Sequence, residues 1–90
     1  MKITDIIENI SWDNNYFYIN CENNKIRLNI IDGEINIPIY NNINKVIYIN
    51  ELNVNDNITV IYKNKDEYIY PIKIILNDKY HFHSSSEEEF

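Results

Sequence analysis

The chain has one glycine, one cysteine, one arginine and two prolines, and it contains no alanine and no glutamine. A lone glycine leaves no Gly-rich phosphate-cradling loop, which argues against nucleotide hydrolysis. A lone Cys21 has no partner for an internal disulfide and suits a reducing compartment. Outside the C-terminal stretch the only serine is Ser11, and both histidines, His81 and His83, stand just before that stretch. No Ser–His or Cys–His arrangement suggests itself, and the expectation is a protein that is not an enzyme and needs no cofactor. No apolar run approaches the roughly 18 residues that span a bilayer, and Met1-Lys2 is not followed by a signal-peptide core. These absences predict a cytoplasmic protein with no membrane association.

What is abundant is isoleucine and asparagine, 20 and 17 of the 90 residues. With Lys and Tyr, these are the residues that codons built from A and T alone can specify. An AT-rich genome is therefore expected: a virus, a cytoplasmic plasmid, a symbiont or a protist, with a viral or plasmid replication compartment as one setting. Many asparagines are then default surface residues, while β-branched isoleucine favours strands. The net charge is −6. Without Glu87, Glu88 and Glu89, residues 1–83 still carry 8 basic and 11 acidic side chains. Bulk charge does not mark a nucleic-acid binder, so such an activity requires a local basic patch.

Periodicity organises the chain around Lys25 to Tyr40. Ile26, Leu28 and Ile30 alternate with Arg27, Asn29 and Ile31 before Asp32-Gly33, and Ile35, Ile37 and Ile39 alternate after it. Alternation on both sides of Asp-Gly predicts a hairpin with a type I′ turn. Pro38, lacking an amide hydrogen, predicts an edge or a bulge for the second arm. Residues 2–12 fit either an amphipathic helix, through Ile3, Ile6, Ile7 and Ile10, or a strand bulged near Asp5-Ile6; the β-branched content favours the strand. Tyr16 to Cys21, Lys45 to Asn50, Ile58 to Tyr62 and Tyr68 to Leu76 read as further strands. Turns are expected at Asp13-Asn14-Asn15, Glu22-Asn23-Asn24 and Asn55-Asp56-Asn57, with loops at Asn41–Asn44 and Asn64–Glu67. The expected architecture is all-β: a small barrel of about six to seven short antiparallel strands over residues 1–80, then an acidic tail at 81–90, disordered when free. The segment Leu52-Asn53-Val54-Asn55-Asp56-Asn57-Ile58-Thr59-Val60 resembles the lead-in to a late strand of OB-like barrels, where glycine often stands in place of Asn55.

Two constellations carry functional readings. Tyr16 and Tyr18 share the outward face of one strand, and Lys25 and Arg27 share that of the next. Tyr62, Lys63, Lys65, Tyr68, Tyr70 and Lys73 flank the last hairpin. Exposed rings stack on unpaired bases and adjacent cations neutralise phosphates, so these ten residues form the candidate surface for single-stranded nucleic acid. The ordinary alternative is that the tyrosines cap a β-core with their hydroxyls in water. The second constellation is the terminal Ser84-Ser85-Ser86-Glu87-Glu88-Glu89-Phe90. It resembles the acidic, Phe-ending tails of OB-fold single-stranded-DNA-binding proteins of the bacterial and phage T7 types, with relatives in large DNA viruses. That resemblance implies a tail in which Glu87, Glu88 and Glu89 compete with DNA while Phe90 anchors a protein partner. The same ending also looks like a tubulin-type tail or a PDZ ligand, and each of Ser84 to Ser86 has a glutamate three residues on, as acidophilic kinases favour. His81 and His83 lack further metal ligands beyond Asp78, so no metal is expected. The other function weighed is a small protein-interaction module or accessory subunit that docks into a larger assembly through its sheet edge or its tail.

Overall fold

A computed structural model describes residues 1–77. The tail at 81–90, the pair His81 and His83, and the expected domain boundary after residue 80 lie outside the described residues. Eight strands follow in order: β1 (Lys2–Trp12), β2 (Tyr16–Cys21), β3 (Lys25–Ile31), β4 (Glu34–Ile35), β5 (Ile39–Asn41), β6 (Val46–Ile47), β7 (Asn57–Lys65) and β8 (Ile69–Leu76). A single 3-10 turn at Ile49–Glu51 is the only helical element among the described residues.

The strands form one sheet ordered β4-β3-β2-β1-β7-β8-β5-β6, closed on itself by a contact between β3 and β8. The ring is therefore β1-β2-β3-β8-β7, antiparallel throughout except where Ile26 of β3 meets Ile69 of β8 in parallel. This is a small OB-like barrel, five-stranded and partly open, with β4, β5 and β6 contributed by the long connection from β3 to β7. Beyond Ile69, β5 replaces β3 as the neighbour of β8, pairing Ile39 to Asn41 with Ile74 to Leu76.

One strand serves both halves of the barrel. Residues 2–6 of β1 pair with β7, and residues 7–12 pair with β2. The change of partner occurs at a bulge between Ile7 and Asn9, slightly beyond the expected position at Asp5-Ile6. The shift follows from burial: Ile7 is fully enclosed, while the inward side chain before it is Asp5, only 4% exposed. Its carboxylate is satisfied there. Oδ1 accepts the Ile6 amide at 2.7 Å, and Oδ2 accepts the Asn23 amide at 3.0 Å and Asn24 Nδ2 at 2.7 Å. The Glu22 amide donates to the Ile6 carbonyl beside it. The bulge of β1 and the β2–β3 turn are thus joined through one buried carboxylate.

The core is built from Ile7, Ile19, Ile26, Leu28, Ile39, Ile58, Val60, Ile69 and Ile74, all essentially inaccessible. Period-two alternation delivers them: Ile19 and Cys21 on β2, Ile26 and Leu28 on β3, Ile58, Val60 and Tyr62 on β7. Burial pushes the Cys21 thiol up to about 12, with the carboxylates of Asp5, Glu8 and Glu22 adding to the effect, so it remains a protonated core thiol.

The Asp32-Gly33 turn has the expected positive φ at both residues, 53° and 81°. The second arm of that hairpin is shorter than alternation implies. Only Glu34–Ile35 pair with β3, the ladder stops at Asn36–Pro38, and Ile39 opens a different strand beside β8. Pro38 cannot donate to the β3 ladder, and burying Ile39 requires the chain to cross to β8. The run Lys45 to Asn50 likewise gives only β6 before the 3-10 turn. Strand β7 continues through Lys65, so the last hairpin turn is tighter than the expected loop. Asn44 and Asn55 adopt φ of 66° and 77°, so Asn55 meets the requirement that glycine meets elsewhere. No described helix is long and apolar enough to cross a membrane.

Two stability predictions follow from this geometry. Although burial opposes ionisation of Asp5, its hydrogen bonds from Asn24, Ile6 and Asn23 hold its carboxyl below the ordinary value of 3.8. A carboxyl whose pKa is lower folded than unfolded contributes stability that is full above 3.8 and lost as pH falls through the lowered value. Urea unfolding is expected to show Asp5→Ala destabilised by about 2–3 kcal/mol at pH 7, with the gap to wild type shrinking below pH 4; a gap independent of pH contradicts this role. A Cβ on Gly33 meets nothing within 4 Å. Gly33→Ala should therefore cost only its left-handed backbone, about 1 kcal/mol, without altering the denaturant slope.

Candidate nucleic-acid interface

The outward faces of β2 and β3 carry the residues left over from core alternation. On β2 these are Tyr16 and Tyr18, and on β3 Lys25, Arg27 and Asn29; Tyr18 lies directly opposite Arg27, and Tyr16 opposite Asn29. The β3–β8 contact adds the rest. Because Ile26 is paired with Ile69, the residues flanking Ile69, Tyr68 and Tyr70, fall beside Arg27. Two groups that are separate in sequence become one cluster.

Arg27 is at its centre. Its guanidinium carbon lies 4.3 Å from the ring centroid of Tyr16, 4.8 Å from that of Tyr68 and 5.2 Å from that of Tyr70. Its Nη2 donates to the Tyr70 hydroxyl at 2.9 Å. Its Nε is buried with no hydrogen-bond acceptor, enclosed by ring faces instead. The Tyr18 ring closes the group, 5.9 Å from Tyr68 and 6.2 Å from Tyr16. Burial disfavours the charged Arg27, but the surrounding tyrosines outweigh it and keep the guanidinium firmly protonated.

Two aspartates frame the cluster in parallel ways. Asp13, in the β1–β2 turn, accepts the amides of Asn15 and Tyr16 through Oδ1, both at 2.8 Å, and the Tyr18 hydroxyl reaches its Oδ2 at 3.5 Å. Asp66, in the β7–β8 turn, accepts the Tyr68 amide through Oδ1 at 3.0 Å, and the Tyr70 hydroxyl reaches its Oδ2 at 3.5 Å. The backbone amides in each turn, with Arg27 nearby, hold both carboxyls below the ordinary range. Desolvation, with Asp13 and Tyr68 adding to it, raises the Tyr18 phenol, and desolvation with Asp66 raises that of Tyr70. Each hairpin turn thus sets one carboxylate and two tyrosines around a single cation.

The remaining candidates fall in different places. Tyr62 is 8% exposed and belongs to the core, so its ring is removed from the candidate surface; it faces inward with Ile58 and Val60. Lys63 and Lys65 are exposed at the far end of β7. Lys25 and Lys65 share a shallow cleft of about 320 Å³ with Glu22 and Glu67, where cations and anions alternate. Lys73 lies farther along β8, its Nζ 4.6 Å from the centroid of Tyr40 on β5. Asp13, Asp66 and Tyr40 were not singled out by sequence reasoning as part of a site. The signal available for the two aspartates is that each precedes a Tyr-x-Tyr pair, with two residues between in Asp13-x-x-Tyr16-x-Tyr18 and one in Asp66-x-Tyr68-x-Tyr70. No group of described residues has the composition and spacing of a metal site.

No protein-family model matches the chain, and no curated protein or solved structure matches it either.

The cluster also bridges the β3–β8 closure. Arg27→Ala is expected to lower the thermal unfolding midpoint and to raise amide exchange at Ile26 and Ile69. Tyr70→Phe, which removes only the hydroxyl acceptor, should do less. Equal effects from both variants would place the stabilisation in the hydrogen bond rather than in ring packing.

Proposed function

We propose that the protein binds single-stranded nucleic acid on the outer face of β2 and β3. The observation that carries this reading is the gathering of Tyr16, Tyr18, Tyr68 and Tyr70 around Arg27 on one exposed face of an OB-like barrel. Half-exposed phenol rings offer stacking surfaces to unpaired bases, and the guanidinium holds the rings in place while adding positive charge. Lys25 and Lys65 lie at the edge of this face and suit contact with phosphates. The framing carboxylates offset most of that charge, so affinity comes chiefly from stacking and the salt dependence corresponds to few phosphate contacts. Glu87, Glu88, Glu89 and Phe90 fit a regulatory role on sequence grounds: the carboxylates compete for the cationic residues and Phe90 recruits a protein partner.

A second reading, a protein-interaction module, is favoured by a different observation. Strand β6 ends the sheet, and around it Ile43, Val46 and Tyr48 are 65%, 68% and 77% exposed. An open strand edge beside apolar side chains suits pairing with another chain.

Fluorescence anisotropy with a labelled oligothymidylate separates the two. Wild type is expected to bind at low salt, and Tyr16→Ala/Tyr18→Ala to bind at least about tenfold more weakly. A chain ending at His83 should bind more tightly than the full chain. If neither the full nor the shortened chain binds at low salt, the nucleic-acid reading is wrong and the β6 edge becomes the surface to pursue.

A further inference from the structure

The ring cluster is not the only place where a cation sits on a tyrosine at the outer surface of β8. Strand β8 leaves the cluster after Tyr70 and meets a bulge: Tyr62 of β7 pairs with Pro71 and Ile61 pairs with Lys73, so Ile72 has no partner. The extra residue changes the alternation. Pro71 is buried, Ile72 and Lys73 both lie outward, and Ile74 returns to the core. Without the bulge, a strand that turns Tyr70 outward would turn Lys73 inward. With it, Lys73 faces the same side as Tyr68 and Tyr70, and its ammonium lies over Tyr40 at 4.6 Å. Tyr40 comes from β5, in the long connection from β3 to β7, and is held there by its pairing with Ile75.

We infer that Tyr40 and Lys73 form a second base-and-phosphate step on one continuous track, which runs from the Arg27 cluster along the outside of β8. This rests on the nucleic-acid reading above and extends it to residues outside the β2–β3 face. The two steps have the same composition, a phenol ring with a cation upon it, which is the pairing that stacks a base and neutralises its phosphate. Tyr70 and Lys73 are three residues apart, about 10 Å along a strand, too far for one nucleotide to occupy both sites well, so a strand whose first bases fill the four rings around Arg27 reaches Tyr40 with the nucleotides that follow. Between them the exposed Ile72 offers an apolar contact. The occupant is a flexible single strand, since a rigid duplex keeps its bases stacked away from such rings.

The length of the ligand provides the test. Labelled oligothymidylates of three and of twelve nucleotides would be titrated with full-length wild type, Tyr40→Ala, Tyr40→Phe and Lys73→Gln. Tyr40→Ala is expected to weaken the twelve-nucleotide strand about tenfold and leave the three-nucleotide strand unchanged, while Tyr40→Phe binds both like wild type. Lys73→Gln should reduce the slope of log affinity against log salt by about 0.7 for the longer strand, the value of one lost phosphate contact. If wild type binds and Tyr40→Ala matches it on both lengths, the track stops at Tyr70 and the inference is wrong. Equal weakening on both lengths also overturns it, because it signals a general distortion of the barrel. If wild type binds neither strand, the nucleic-acid reading itself fails and the track falls with it.

Discussion

Everything in this barrel depends on β1 changing partners without leaving backbone groups unpaired in the interior. In a closed ring every strand has a neighbour on each side, and β1 meets its two in succession, giving residues 2–6 to β7 and residues 7–12 to β2. A bulge at the crossover interrupts the ladder and exposes polar groups where water is scarce, which is costly unless they are satisfied. The Asp5 carboxylate accepts from Ile6 locally and from Asn23 and Asn24 in the β2–β3 turn, while the Ile7 amide donates to the Asp56 carbonyl and the Asn55 amide to the Ile7 carbonyl. Two turns distant in sequence, at 22–24 and at 53–56, are thereby fixed to one bulge. The positive φ of Asn55 falls within the same arrangement, at the residue whose amide donates to the Ile7 carbonyl.

The opposite side of the ring has a different solution. Closure between β3 and β8 is a single parallel pair, Ile26 with Ile69, and farther along β5 takes over. So brief a ladder contributes little by itself, and side chains outside it bridge the gap. Arg27 reaches from β3 to rings from both β2 and β8, and its hydrogen bond to Tyr70 crosses the seam. The residues that latch the barrel are therefore the same ones that form its aromatic surface. A ring that supports Arg27 on one face can still offer an edge or the other face to a base. Rigid support is what lets a tyrosine stack without first losing conformational entropy.

Much of this was readable in the chain because period-two patterns are read directly as faces. Alternation puts Ile26 and Leu28 on the inward face of their strand, opposite Lys25, Arg27 and Asn29, and Asp32-Gly33 reads as a hairpin turn from its need for positive φ. Alternation failed where it met tertiary demands. Ile35, Ile37 and Ile39 look like one strand, but Pro38 breaks the ladder and Ile39 belongs with β8. Tyr62 looks like a surface ring among lysines, yet it follows Ile58 and Val60 inward on β7. Grouping the tyrosines around Arg27 required knowing that β8 returns in parallel beside β3. No local pattern encodes that pairing, because it depends on which strand closes the ring.

The charge distribution decides what kind of ligand this surface suits. Around Arg27 stand Asp13 and Asp66, both held ionised by turn amides, and beside Lys25 and Lys65 stand Glu22 and Glu67. Such a face does not attract a polyanion from a distance as a basic groove does, because its field largely cancels beyond a Debye length of about 8–10 Å. At contact the situation differs. The carboxylates sit in the turns at the ends of the strands, whereas the rings and the guanidinium occupy the strand faces between them. On the proposed reading, a chain of unpaired bases laid over the strands would meet aromatic surface first, and its phosphates would meet Lys25, Lys65 and Lys73 at the periphery. Affinity would then track the number of bases that can stack, which is how an acidic protein would hold a nucleic acid without a basic groove.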